Sequence, residues 1–182
     1  MSVAVASRYA RALADILTSA TAGIEADAAL QQLREFRALQ ESSIELRNVL
    51  VSPAVPPRSK HKAIGKLAER LGMATVLKNF LFVLIDHRRI AMLGEILISL
   101  QAQLDERRGI ARAAIRSARP LSDEQRGEVE ASLALRTGKR VVGQYAVDDS
   151  LIGGIVARVG SRVYDGSVRG QLQAMRSRLV RS

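Results

Sequence analysis

Apolar residues change their spacing once along this chain, at the charged run Asp105-Glu106-Arg107-Arg108 just ahead of Gly109. Before it, hydrophobic side chains recur every three or four positions, which puts them on one face of an α-helix. After it they alternate, as a half-buried strand requires. Both patterns within 182 residues call for an α+β fold in two parts. The sequence places a six-helix bundle at residues 1–106 and a small mixed β-α-β-β-α domain at 110–182. At 47% hydrophobic residues, the chain has enough apolar surface for a packed core.

The first helix is expected from Ser2 to about Ser19, with Val5, Tyr9, Ala12, Leu13, Ile16 and Ala20 on one stripe. Ala6, Ala10 and Ala14 keep part of the remaining surface thin, so a neighbouring helix can approach closely, and Gly23 ends the run. Further helices are expected at about Glu25–Gln40, Ile44–Val51, Pro57 to near Leu71, Ala74 to about His87, and about Ile90–Arg107. Pro53, Pro56 and Pro57 make the strongest break, because proline lacks a backbone donor and restricts the residue before it. Pro57 then suits the first helical position. The fifth helix is apolar almost all round, through Val76, Leu77 and the run Phe80 to Ile85. Such a helix is either central in its bundle or keeps one face for another protein to cover.

Beyond the boundary, Ala111, Ala113 and Ile115 alternate with Arg112, Ala114 and Arg116. Ser122 and Gln125 read as a capping box that opens a helix to about Arg136, with Gly138 placed to stop it. Val141, Gly143, Tyr145 and Val147 alternate again. Gly153 and Gly154 precede a strand built on Ile155, Ala157 and Val159, which Gly160 interrupts before a short strand at Arg162-Val163-Tyr164. Asp165-Gly166 supplies a turn. Ser167 is placed to cap a closing helix whose Val168, Leu172, Met175 and Leu179 share a face.

No catalytic constellation emerges. Zero cysteines exclude disulfides, thiolate chemistry and cysteine-based zinc sites. His61 and His87 lie among basic residues without sequence partners for a triad or a metal site. No GxxxxGK[ST] phosphate loop exists, and Gly153-Gly154 with Gly160 reads as a bulge or a close backbone approach. Asp148-Asp149 reads as a solvated turn. No catalytic residue, cofactor or metal ligand is therefore expected. The longest strongly apolar run, Phe80 to Ile85, ends at Asp86, far short of the ~20 residues that span a bilayer. The start of the chain does not read as a secretory signal. A formal charge of +10 admits two kinds of partner, nucleic acid or an acidic protein. With the arginines scattered and aromatic residues at 3%, stacking platforms are scarce, so the protein partner is the better reading. A basic nucleic-acid-binding adaptor is the rival, and a small enzyme with an unfamiliar site is the second.

The ordered set of Gly153-Gly154, strand, Gly160, Asp165-Gly166-Ser167-Val168-Arg169 and amphipathic tail resembles the carboxyl end of the delta subunit family of F-type ATP synthases. The mitochondrial counterpart of that family is the oligomycin sensitivity-conferring protein. Val5-Ala6-Ser7-Arg8-Tyr9-Ala10-Arg11-Ala12-Leu13 is similar to the family's opening helix. Leu77-Lys78-Asn79-Phe80-Leu81 with His87-Arg88-Arg89-Ile90 is similar to its fifth helix and the loop after it. The start also resembles a mitochondrial presequence, but Asp15 interrupts it and the family places it inside the mature fold. One departure is Gly143, where the family places a larger strand residue, which leaves that strand's edge geometry open.

The resemblance implies a non-catalytic connector of the peripheral stalk, present in one copy, serving proton-driven ATP synthesis at the cytoplasmic face of the bacterial plasma (inner) membrane. It implies a groove between the first and fifth helices for the amino-terminal helix of an alpha subunit, lined by Tyr9, Ala12, Leu13, Ile16, Leu77, Phe80, Leu81 and Leu84. It implies that the second domain holds the carboxyl-terminal ends of the b subunits, with Arg158, Arg162, Arg169, Arg176 and Arg178 steering an acidic helix. Membrane contact would be indirect, and no nucleic acid is implied.

Overall fold

Alanine decides how the first helix packs. In the computed structural model, which describes residues 2–19 and 23–169, α1 (Ser2–Leu17) turns Ala6, Ala10 and Ala14 fully inward, with Leu13 and Leu17 beside them. Of the expected stripe, Val5, Tyr9, Ala12 and Ile16 stay off this face, while Leu13 turns into the core. Small side chains let two helices approach closely, so the alanine face makes the tighter contact and the bulkier stripe is left outside.

The rest of the first unit, residues 1–104, closes around that helix. It comprises α2 (Ala26–Ser42), α3 (Ile44–Val51), α4 (Pro57–Arg70), α5 (Thr75–Asp86) and most of α6 (Leu93–Arg107). The helix expected from Ile90 begins instead as one 3-10 turn, Ile90–Met92. Pro57 occupies the first turn of α4, and the Ser43 hydroxyl caps α3 by accepting from the Leu46 amide at 3.2 Å. The Gln32 side chain accepts from the Ala74 amide at 3.0 Å and so ties the start of α5 to α2. Leu30, Leu33, Phe36, Ile64, Leu77, Leu81, Leu84, Ile96 and Leu100 are sealed in one core.

The second unit, residues 105–182, is a four-stranded sheet in the order β2-β1-β3-β4. Its strands are β1 (Ile110–Ser117), β2 (Arg140–Val147), β3 (Ile155–Val159) and β4 (Arg162–Asp165). β1 and β2 run parallel, and parallel neighbours need a crossover, which α7 (Asp123–Thr137) supplies. The other pairs are antiparallel. Both halves of the Ser122–Gln125 capping box form, and Gly138 closes α7 at φ 68°, a left-handed conformation. Leu133 of α7 packs on Ala113, Ile115, Val141 and Ala157, the inward face of the alternating strands. The opposite face presents Arg112, Ala114 and Arg116. Val168 and Arg169 are helical, but the rest of the expected closing helix, with Leu172, Met175, Arg176, Arg178 and Leu179, lies outside the described residues.

Candidate partner-binding surfaces

Because α1 buries its alanine face, its other stripe remains available. Tyr9 is half-buried, and Ala12 and Ile16 are exposed, Ile16 at 43%. Tyr9 meets α5 directly: its ring stands edge-on to Phe80 with centroids 6.5 Å apart, and tilted against His87 at 6.4 Å. The Arg89 guanidinium lies 5.2 Å from the Tyr9 ring centre and donates to the phenol oxygen at 2.7 Å. Val76, Phe80 and Val83 share a face of α5 by helical spacing, with Val83 43% exposed. The Tyr9–Phe80 contact therefore joins two apolar stripes into one surface.

The structure divides the eight expected groove residues. Tyr9, Ala12, Ile16 and Phe80 reach this surface. Leu13, at 1% exposure, and Leu77, Leu81 and Leu84, each at 0%, do not. These four are core residues that hold the two helices in place, a correction to the anchor set. Val76, Val83 and Arg89 were absent from that set. Val83 was legible as the next helical step from Phe80, whereas nothing in the linear pattern signals that Arg89 lies against Tyr9.

The second unit brings the separated parts of its closing motif together. Gly154 adopts φ 84°, and a Cβ there would press on the Gly166 carbonyl oxygen and stand 2.8 Å from the Ser167 Cα. The Gly166 amide donates to the Ile155 carbonyl at 2.9 Å, and the Val168 amide to Gly153 at 3.1 Å. A Cβ on Gly153 would lie 3.2 Å from the Val168 side chain. Asp165 accepts from the Ser167 amide at 2.9 Å, and hydrogen bonds from the Ser167 side chain and backbone hold its carboxyl below the usual carboxylate range. Gly160, at φ 59°, makes the turn between β3 and β4, and Arg169 is exposed. The glycine pair is thus a place of close backbone approach that fixes where the chain leaves the sheet.

Gly143 leaves a gap that Tyr145 fills, for a Cβ there would stand 2.6 Å from the Tyr145 ring. The Glu130 carboxylate of α7 accepts from the Gly143 amide at 2.9 Å and from the Tyr145 hydroxyl at 3.0 Å. Burial first, then the hydrogen bond and charge of Glu130, push the Tyr145 phenol up to about 12 against the pull of Arg126. This is the edge geometry the sequence left open: α7 clamps the β2 edge. Beneath α7, a cleft of about 350 Å³ runs between Val129, Leu133, Ile155 and Tyr164.

Among the described residues, no group of three or more His, Cys, Asp or Glu is placed to hold a metal. Nor is any described helix long and apolar enough to cross a membrane. Residues 5–179 match the family model for the ATP synthase delta (OSCP) subunit. The chain is 36% identical over 177 residues to ATP synthase subunit delta of Acidobacterium capsulatum, covering 97% of this chain and 98% of that one. Its identity to the Geobacter metallireducens protein of the same name is 38%, over 94% of each. Its fold is similar to a chain of the Toxoplasma gondii mitochondrial ATP synthase hexamer, at TM-score 0.67 and 26% identity, covering 96% of this chain and 97% of the other.

Proposed function

The chain belongs to the ATP synthase delta (OSCP) subunit family, and on that premise we propose that it grips an alpha-subunit helix with one domain and the b subunits with the other. It is a peripheral-stalk component of an F-type ATP synthase, a structural subunit rather than the catalytic one, and its partners are other subunits of that complex. These relationships lend no support to the nucleic-acid reading.

The finer reading has three parts. The amino-terminal helix of an alpha subunit lies on the α1/α5 surface. The carboxyl-terminal ends of the b subunits meet the second domain, where Arg158, Arg162 and Arg169 are exposed to steer an acidic partner. One copy sits at the cytoplasmic face of the bacterial inner membrane and touches the bilayer only through the complex. Its task during proton-driven synthesis is to resist rotor torque, which calls for slowly dissociating contacts.

One observation carries the alpha-subunit reading: Ile16 and Val83, each 43% exposed, flank the Tyr9–Phe80 contact while their helical neighbours fill the core. An incoming amphipathic helix completes such a surface with residues at i, i+3, i+4 and i+7. Completing the burial of Ile16 and Val83 contributes only roughly 1 kcal/mol each. Slow release therefore also needs the Tyr9–Phe80 edge and the simultaneous hold of the second domain. Calorimetric titration of the full chain with an alpha-subunit amino-terminal peptide should give one-to-one binding. Ile16→Asp should weaken it at least about tenfold, since a charge on an apolar contact is costly to bury, with helicity unchanged. No heat at high micromolar peptide would overturn this reading.

A further inference from the structure

Lys60 is only 7% exposed, yet among the described residues its side chain has no hydrogen-bond or ion-pair partner. Its stem is packed in the fold while the head reaches solvent, which fixes where the ammonium emerges. Beside it, His61 Nε2 is sealed from solvent and lies near Asp86 without the alignment of a hydrogen bond. The Lys60 ammonium is open to a ligand from solution. Lys60 lines a partly open pocket of about 180 Å³, walled on its inner side by Leu50, Ile85 and Ile90. Arg88 lines the same pocket, again without a side-chain partner among the described residues. Its backbone holds φ 56°, the only non-glycine residue described with positive φ. An L residue there costs about 1 to 2 kcal/mol, and a helix end of this kind ordinarily takes glycine. The side chain thus occupies a place where backbone energetics favour having none.

One acid lines the pocket. Asp86 sits 3.0 Å from His61 Nε2 and is half exposed, so it leaves an excess of positive charge over the cavity. The volume falls below the ~300 Å³ at which drug-sized ligand sites begin. It suits a group the size of a carboxylate or a phosphate.

We infer that the pocket between the α3–α4 connection, α4 and the end of α5 receives one small oxyanion, held by Lys60 and Arg88. Its source is either an acidic side chain of a partner protein or free phosphate. The site is separate from the α1/α5 surface and stands whether or not that surface binds a helix.

Amide NMR of the full chain tests it with two probes at constant ionic strength: inorganic phosphate, and N-acetylglutamic acid α-amide, whose one charge is a side-chain carboxylate. At least one probe should give saturable changes at Val55, Lys60 and Arg88. Lys60→Met should weaken that binding about tenfold, the scale of a lost charge-assisted hydrogen bond. Arg88→Gly fits the left-handed backbone and so keeps the fold, and it should weaken binding several-fold. Saturation by the glutamate amide assigns a partner's side chain, and saturation by phosphate alone assigns a free anion. Saturation by neither probe, or binding by Arg88→Gly equal to that of the unaltered chain, would overturn the inference.

Discussion

At residue scale, Gly154 and Arg88 are opposite cases of the same backbone conformation. Position 154 combines φ 84° with the Gly166 carbonyl and the Ser167 Cα pressed against it, so no side chain fits. Gly154→Ala should destabilise the second unit by about 2 to 4 kcal/mol in urea unfolding, from strain and overpacking together. Arg88→Gly relieves a left-handed arginine and should stabilise the first unit by about 0.5 to 1 kcal/mol. Tyr145 gives a pH signature. Its phenol is raised from 10.0 to about 12 in the fold, so the neutral form is the one the fold favours. That stabilisation is complete below pH 10 and is lost as pH rises towards 12. The stability of the second unit should fall more steeply across this window than that of Tyr145→Phe, measured by urea unfolding at successive pH values. The close approach at the glycine pair was legible in the sequence, because glycines before a strand have few other uses. The Glu130 clamp was not, since it joins residues that only the fold brings together.

At element scale, the two helices of the proposed groove show what periodicity can decide. The spacing correctly gave α1 and α5 as amphipathic or over-apolar helices. It could not say which stripe faces in. A stripe counted by hydrophobicity favours Val5, Tyr9, Ala12 and Ile16, whereas packing favours the alanines because they allow closer contact. The same ambiguity placed Leu13, Leu77, Leu81 and Leu84 among the anchors when they are core. The Tyr9–Phe80–Arg89 contact that fixes the outward face joins residues more than 70 positions apart, beyond the reach of any local pattern. The distinction is measurable. Leu81→Ala should cost about 2 to 5 kcal/mol as a cavity in the sealed core, whereas Val83→Ala on the surface should stay within about 0.5 kcal/mol.

For the whole molecule, two small cores, one in each unit, fit the structural subunit that the family describes. The net charge of +10 gives the chain a long-range field that would speed the approach of an acidic partner. An apolar grip on the alpha-subunit helix should nevertheless change little between low and moderate salt, while nucleic acid binding would fall steeply over the same range. Fold class and family were both legible before any coordinates, through the change of period and the ordered glycine motif. The surface left for a partner was legible in part, through Tyr9, Ala12, Ile16 and Phe80, because the rest depends on which face each helix spends inside its own core. The chain has no cysteine of its own, so Ile16→Cys and Val83→Cys variants each carry a single reporter on that surface. The most direct measurement compares the alkylation rate of each reporter in the free chain and in the assembled ATP synthase. Both should react at least about tenfold more slowly on assembly, as side chains under an interface that excludes water do. Equal rates in the two states at both positions would contradict the claim that a partner helix covers this surface.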